Sequence, residues 1–132
     1  MSCLGTFSYN LAKFLVPLIS PLTCNEYTIE NSTKFVKDVL DTPLPPDFIM
    51  ASFDVESLFT NVPLQETTEI IVDKLNNNSL GLNKNQLRNF LNIATSDSVF
   101  LYNNEMYSQI DGVCMGSCLG PTYANAFLCH FE

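Results

Sequence analysis

No regular element can run through residues 42–46. Thr42-Pro43-Leu44-Pro45-Pro46 puts three prolines into four positions. Each proline removes a backbone donor and fixes φ, and each disfavours helix in the residue before it. The chain is therefore divided into two parts, residues 1–46 and 47–132, and any shared core must be built across that break.

The first part reads as helical. Residues 9–20 place Leu11, Phe14, Leu15 and Leu18 on one face. Pro17 and Pro21 are expected to kink or end that helix. A second helix starts at the cap Asn31 or Ser32 and runs to about Leu40, with Phe35, Val36, Val39 and Leu40 as its apolar face.

The second part mixes helix and strand. Phe48-Ile49-Met50-Ala51-Ser52-Phe53 reads as a buried strand ending at Asp54. Pro63 sits where a helix can begin, with Gln65 to Leu75 continuing it, and Asn76-Asn77-Asn78-Ser79 reads as a loop. Leu82 to Ala94 forms a further helix with Leu87, Phe90, Leu91 and Ala94 aligned. Ser98–Tyr102 and Glu105–Gln109 read as a hairpin turning at Asn103-Asn104, because asparagine tolerates the positive φ of such turns. The strand ending at Asp54 is expected to pair beside this hairpin. A glycine-rich loop spans Asp111 to Gly120. Pro121 opens a last helix that is apolar through Phe127, Leu128 and Phe131. A helix that stops on apolar residues suggests a piece of a longer protein. The fold class is α/β in the α+β sense, mostly helical with a small antiparallel sheet.

Composition excludes several classes. At 46% hydrophobic and 15% charged, the 132-residue chain is not disordered, and a chain of this length buries roughly two-thirds of its unfolded surface. Its longest apolar runs fall far short of the roughly 20 residues of a membrane span, so no membrane partner is expected. There is no signal-peptide pattern at the N-terminus, and the five cysteines read as reduced thiols of an intracellular protein, nuclear or cytoplasmic. Six basic against fourteen acidic residues give a net charge of −8, which argues against an independent nucleic-acid binder.

Two segments carry chemistry. In Ala51-Ser-Phe-Asp-Val-Glu-Ser-Leu-Phe-Thr-Asn-Val-Pro-Leu64, a carboxylate directly after a buried strand is held rigidly. Metal-dependent phosphoryl transfer needs such a group, since two ions must be fixed about 4 Å apart. Asp54 and the carbonyl of Val55 are candidate ligands for Mg²⁺ or Mn²⁺; alternatively Asp54 ends a strand and caps a turn. In the second segment, Gly112, Gly116 and Gly120 precede a helix and let the backbone approach a ligand closely, or serve as a plain connector. The loop lacks the lysine and spacing of a P-loop. A zinc site from Cys114, Cys118, Cys129 and His130 lacks the two tight pairs of structural zinc, and His130 has no nucleophile partner for a hydrolase triad.

Taken together and in this order, the segments resemble reverse transcriptases of Penelope-like retroelements over nearly the whole chain. Gly5-Thr6-Phe7-Ser8-Tyr9-Asn10-Leu11-Ala12-Lys13 is similar to the family's fingers segment, and Asn31-Ser32 with Phe35-Val36 to the stretch after it. Ser52-Phe53-Asp54-Val55 with Ser57-Leu58-Phe59-Thr60-Asn61-Val62-Pro63 is similar to motif A. Gly112-Val113, Met115-Gly116-Ser117, Leu119-Gly120-Pro121 and Ala124-Asn125 are similar to motif B. The resemblance implies a partial right-hand polymerase, with fingers-like helices over 1–46 and a partial palm over 47–132. It implies RNA-directed DNA polymerisation by two-metal nucleotidyl transfer in the full-length protein, acting on an RNA template, a DNA primer and deoxynucleotides.

Within the resemblance, Asp54 is the catalytic, metal-binding aspartate, with Val55 beside it. Phe59 gates the sugar of the incoming nucleotide, although plain core packing is an alternative role. Met115 and Gly116 lie against the nucleotide, and Gly112 and Ser117 belong to the template-primer loop. Cys118 departs from the family's proline. The family's Asp-Asp pair of motif C occurs nowhere in the 132 residues, so the chain alone is expected to be inactive. The alternatives are a retroelement-derived, non-catalytic RNA- or protein-binding module and a degraded product without function.

Overall fold

The computed structural model describes residues 7–75, 81–96, 99–114 and 116–132. Its elements are α1 (Phe7–Ile19), a 3₁₀ turn (Ser20–Leu22), α2 (Ser32–Asp41), α3 (Leu58–Asn61), α4 (Leu64–Lys74), α5 (Lys84–Thr95), β1 (Val99–Tyr102), β2 (Glu105–Ser108) and α6 (Gly120–Phe131). The architecture is mixed α and β, mostly helical, with one small two-stranded antiparallel sheet, as the sequence leads one to expect. The expected loop at Asn76–Ser79 lies outside the described residues, as do Gly5, Thr6, Ser98 and Met115.

Four helices make the core. α1 packs on α5, and α4 packs on both α5 and α6. On α1 the buried stripe is Ala12, Leu15 and Ile19, spaced three and four residues apart as a helix face requires. Leu11 and Leu18 flank it, whereas Phe14, expected on that face, is 53% exposed. Pro17 does not end α1: the helix runs two residues past it to Ile19, although the proline cannot donate to the carbonyl of Lys13. The Ser20 hydroxyl donates to the Val16 carbonyl at 2.8 Å and closes that end.

α5 begins with a reciprocal cap. The Gln86 N–H donates to Asn83 Oδ1 at 2.9 Å, and the Asn83 N–H donates to Gln86 Oε1 at 3.0 Å. Leu87, Leu91 and Ala94 are buried and Phe90 is partly so, which is the face the periodicity indicates. α4 contributes Thr67, Thr68, Ile71 and Val72, and α6 contributes Tyr123, Ala124 and Ala126.

Tyr123 is the largest fully buried side chain, and its hydroxyl shares a 3.1 Å hydrogen bond with Thr68 Oγ1. Burial pushes its phenol well above the usual range, with the Thr68 bond opposing weakly. Tyr123→Phe is expected to cost about 1–2 kcal/mol, because it strands the Thr68 hydroxyl in the core. Adding Thr68→Val should recover most of that loss, and a double-mutant cycle in urea measures the coupling.

Two expectations are corrected. Residues 48–53 form no strand: Ile49 is 91% and Phe53 96% exposed, and Asp54 follows an exposed, irregular segment. A strand needs an edge to satisfy its N–H and C=O groups. Among the described residues β1 and β2 pair only with each other, Val99 with Ser108 through Tyr102 with Glu105, so the expected pairing beside the hairpin is not formed. The hairpin itself turns at Asn103 and Asn104, with φ of 49° and 63°. All eight of its strand residues are exposed. α2 is capped by Asn31 as expected, the Lys34 N–H donating to Oδ1 at 2.9 Å, yet it buries none of its residues. Among the described residues no helix is long and apolar enough to cross a membrane.

Candidate nucleotide site at the junction of two loops

The segment 51–64 leaves its exposed stretch through a tight turn. Ser57 takes a left-handed conformation, φ 51°, and launches the single helical turn α3. Thr60 anchors back to it, its N–H donating to the Ser57 carbonyl at 3.1 Å and its hydroxyl at 2.9 Å. The Asn61 amide reaches the carbonyls of Glu56 at 3.1 Å and Ser57 at 3.2 Å. The next residue, Val62, is fully buried and fastens the turn to the interior.

The glycine loop comes back onto this turn. The Val113 N–H donates to the Phe59 carbonyl at 2.7 Å. Gly112 has φ of 81°, and a Cβ there would fall 2.6 Å from the Thr60 carbonyl oxygen and 2.8 Å from that of Phe59. Only glycine permits both the backbone conformation and the approach. Gly120, at the start of α6, lies against the Phe59 ring, its Cβ position 3.7 Å from the ring edge. Phe59 is half-buried and packs on the core cluster, so both of its proposed roles remain compatible with where it sits.

The rest of the loop is tied locally. The Ser117 N–H donates to the Cys114 carbonyl at 3.1 Å, and the Leu119 N–H to Ser117 Oγ at 3.3 Å. Gly116 has φ of 92° with open space around its Cβ position. Cys118 faces α1, its thiol 3.9 Å from the Tyr9 carbonyl. Cys24, Cys114, Cys118 and Cys129 are reduced thiols.

Sequence reasoning passed over Asp111. Its Oδ1 accepts the Leu64 N–H at 2.9 Å and the Gly112 N–H at 2.8 Å, so it joins the glycine loop to the first turn of α4. The dipeptide Asp111-Gly112 is a turn signal, but nothing in the sequence indicates a partner 47 positions away.

Asp54 stands apart from these contacts. It is exposed, and its Oδ1 accepts the N–H of neighbouring Val55 at 3.0 Å. Val55 is exposed as well. Among the described residues no group of three or more His, Cys, Asp or Glu side chains is placed to hold a metal. A pair of Mg²⁺ ions therefore does not fit these residues taken alone. One exposed carboxylate cannot clamp two ions.

Charges on α4 and α5 are engaged with one another. The Arg88 guanidinium grips both oxygens of Glu69 at 2.6 and 2.7 Å and holds that carboxyl below its ordinary range. Lys84 donates to Asp73 Oδ1 at 2.8 Å and likewise holds that carboxyl below its ordinary range. With Lys34–Glu30, three of the six basic residues sit in ion pairs among the described residues, which leaves few cations for phosphate. A shallow cleft of about 570 Å³ lined by Glu66, Glu69, Ile70, Asp73, Lys74 and His130 shares no residue with the loop junction.

No protein-family model, no curated protein and no solved structure matches the chain.

Proposed function

We propose that the chain is a fingers and partial-palm segment of an RNA-directed DNA polymerase of the Penelope-like retroelement type. One observation carries this reading. The two segments that resemble motifs A and B, some fifty residues apart, meet backbone to backbone where Val113 donates to Phe59 and Gly112 rests on Thr60. A nucleotide site of this class needs those two loops side by side, because phosphoryl transfer depends mainly on positioning and on charge neutralisation. In the reading, Phe59 limits the space at the nucleotide sugar. Met115 and Gly116 lie against the nucleotide, and Gly112 and Ser117 shape the loop under the template-primer end. Asp54 is the one carboxylate this chain brings to the metals of the full-length protein, with the Val55 carbonyl next to it.

The exposed apolar hairpin favours a second reading, a retroelement-derived module that binds another protein. The net charge of −8 speaks against RNA as that module's partner.

Primer extension on an RNA template in Mg²⁺ or Mn²⁺ tests one consequence of the first reading, that these residues lack the remaining metal ligands. The purified 132-residue chain is expected to give no extension above an Asp54→Ala control. Extension above that control would mean that a complete ligand set lies within these residues, contrary to the assignment of Asp54 as their sole family-like ligand.

A further inference from the structure

We propose that Asp111 is a positioning residue that sets where Phe59 sits. The inference rests on the nucleotide-site reading for its functional meaning, and on hydrogen bonds alone for its physical content. A single carboxylate oxygen accepts from Leu64 at 2.9 Å and from Gly112 at 2.8 Å. Leu64 is the first residue of α4, and the residue before it, Pro63, offers no side-chain cap. Asp111 therefore caps α4 from a distant loop. A carboxylate there satisfies one of the free N–H groups of the first turn and complements the positive end of the helix.

The same oxygen orients the peptide of Gly112, and the next amide, Val113, binds the Phe59 carbonyl at 2.7 Å. The Gln109 side-chain amide holds the Asp111 carbonyl at 2.8 Å and steadies the approach to the loop. Asp111 thus sits between two rigid anchors. On one side is α4, buried through Thr67, Thr68, Ile71 and Val72; on the other is the α3 turn, fixed by Val62. Phe59 belongs to that turn, and its ring rests on Gly120. Releasing Asp111 frees the Gly112–Val113 backbone to lift from Phe59, and the ring loses its fixed height above the loop.

Substitutions separate acceptor geometry from charge. Asp111→Asn keeps an Oδ1 in the same place. Asp111→Glu keeps the charge but moves the oxygen by one methylene, and Asp111→Ala removes the acceptor. The experiment is backbone amide exchange and proton–proton contact measurement by NMR on the 132-residue chain. In the alanine and glutamate variants, Val113 amide exchange is expected to quicken about tenfold or more, and the contacts between the Phe59 ring and Gly120 to weaken. In Asp111→Asn both should remain within about threefold of the parent. Leu87 and Leu91 of α5 report whether the core stays folded. Should the alanine variant lose that protection, the glutamate variant, which retains the helix-capping charge, decides. Unchanged Val113 exchange and Phe59 contacts in the alanine or glutamate variant, or equal loss in the asparagine variant, overturn the proposal. No polymerase activity enters the measurement, so its failure is distinct from failure of the reverse-transcriptase reading.

Discussion

Gly112→Ala is expected to destabilise the chain by about 3 kcal/mol, the largest loss of any single methyl addition in the loop. Two costs add at this position. The backbone holds φ at 81°, where a residue with a Cβ is strained. The new methyl would also sit 2.6 Å from the Thr60 carbonyl oxygen and 2.8 Å from that of Phe59. Both are backbone atoms, so no rotamer change relieves the overlap; the loop must lift, and the Val113–Phe59 hydrogen bond goes with it. Its neighbours calibrate the effect. Gly116 has a similar φ of 92° but open space, so alanine there should cost about 1 kcal/mol of strain only. At Gly120 a Cβ meets the Cys114 carbonyl oxygen at 3.6 Å and the Phe59 ring at 3.7 Å, ordinary contacts, and alanine there should be close to neutral. Urea unfolding of the three variants gives the order. Equal losses at Gly112 and Gly116 would mean that the two loops do not touch.

Phe59→Val, in a polymerase containing this chain, is expected to raise ribonucleotide relative to deoxynucleotide incorporation by at least about tenfold, or roughly 1.4 kcal/mol in relative transition-state stability. The argument is steric. The Phe59 carbonyl is pinned by Val113 and its ring rests on Gly120, which holds the ring in place; in the polymerase reading, that is where a 2′-hydroxyl would clash. Valine is shorter and opens that space. The substitution also removes packing from a half-buried side chain, which lowers the rate with both sugars. For that reason the ratio of the two kcat/KM values is the readout, not either value. An unchanged ratio would leave Phe59 with core packing as its sole role.

What was legible in the sequence is what is decided locally. Asn31 caps a helix whose first-turn amide lies three residues on, and Asn103-Asn104 supply the two positive φ values of the hairpin turn. Pro121 stands in the first turn of α6, where its missing donor costs nothing. The apolar run 48–53 was misread because a strand is not a local property. Its pattern is right for a strand, but among the described residues nothing pairs with it, the open edges of the hairpin included. Phe14 was misread for a related reason. Periodicity narrows the buried face of α1 to within about one residue, and packing against α5 decided for the small Ala12. At the site, the glycines were recognisable as points of close approach, but what they approach was not. The contacts of Gly112 with Thr60 and of Asp111 with Leu64 each span about fifty positions, and no local pattern encodes them.

The most direct test of the reverse-transcriptase reading joins this chain to a downstream segment bearing an Asp-Asp pair and a thumb, and measures RNA-templated primer extension in Mg²⁺. The account predicts extension with deoxynucleotides that Asp54→Ala lowers by about a thousandfold or more, because a lost metal ligand removes charge stabilisation at the transition state. Extension that Asp54→Ala leaves intact, or no extension from a folded protein that binds template-primer, would contradict it.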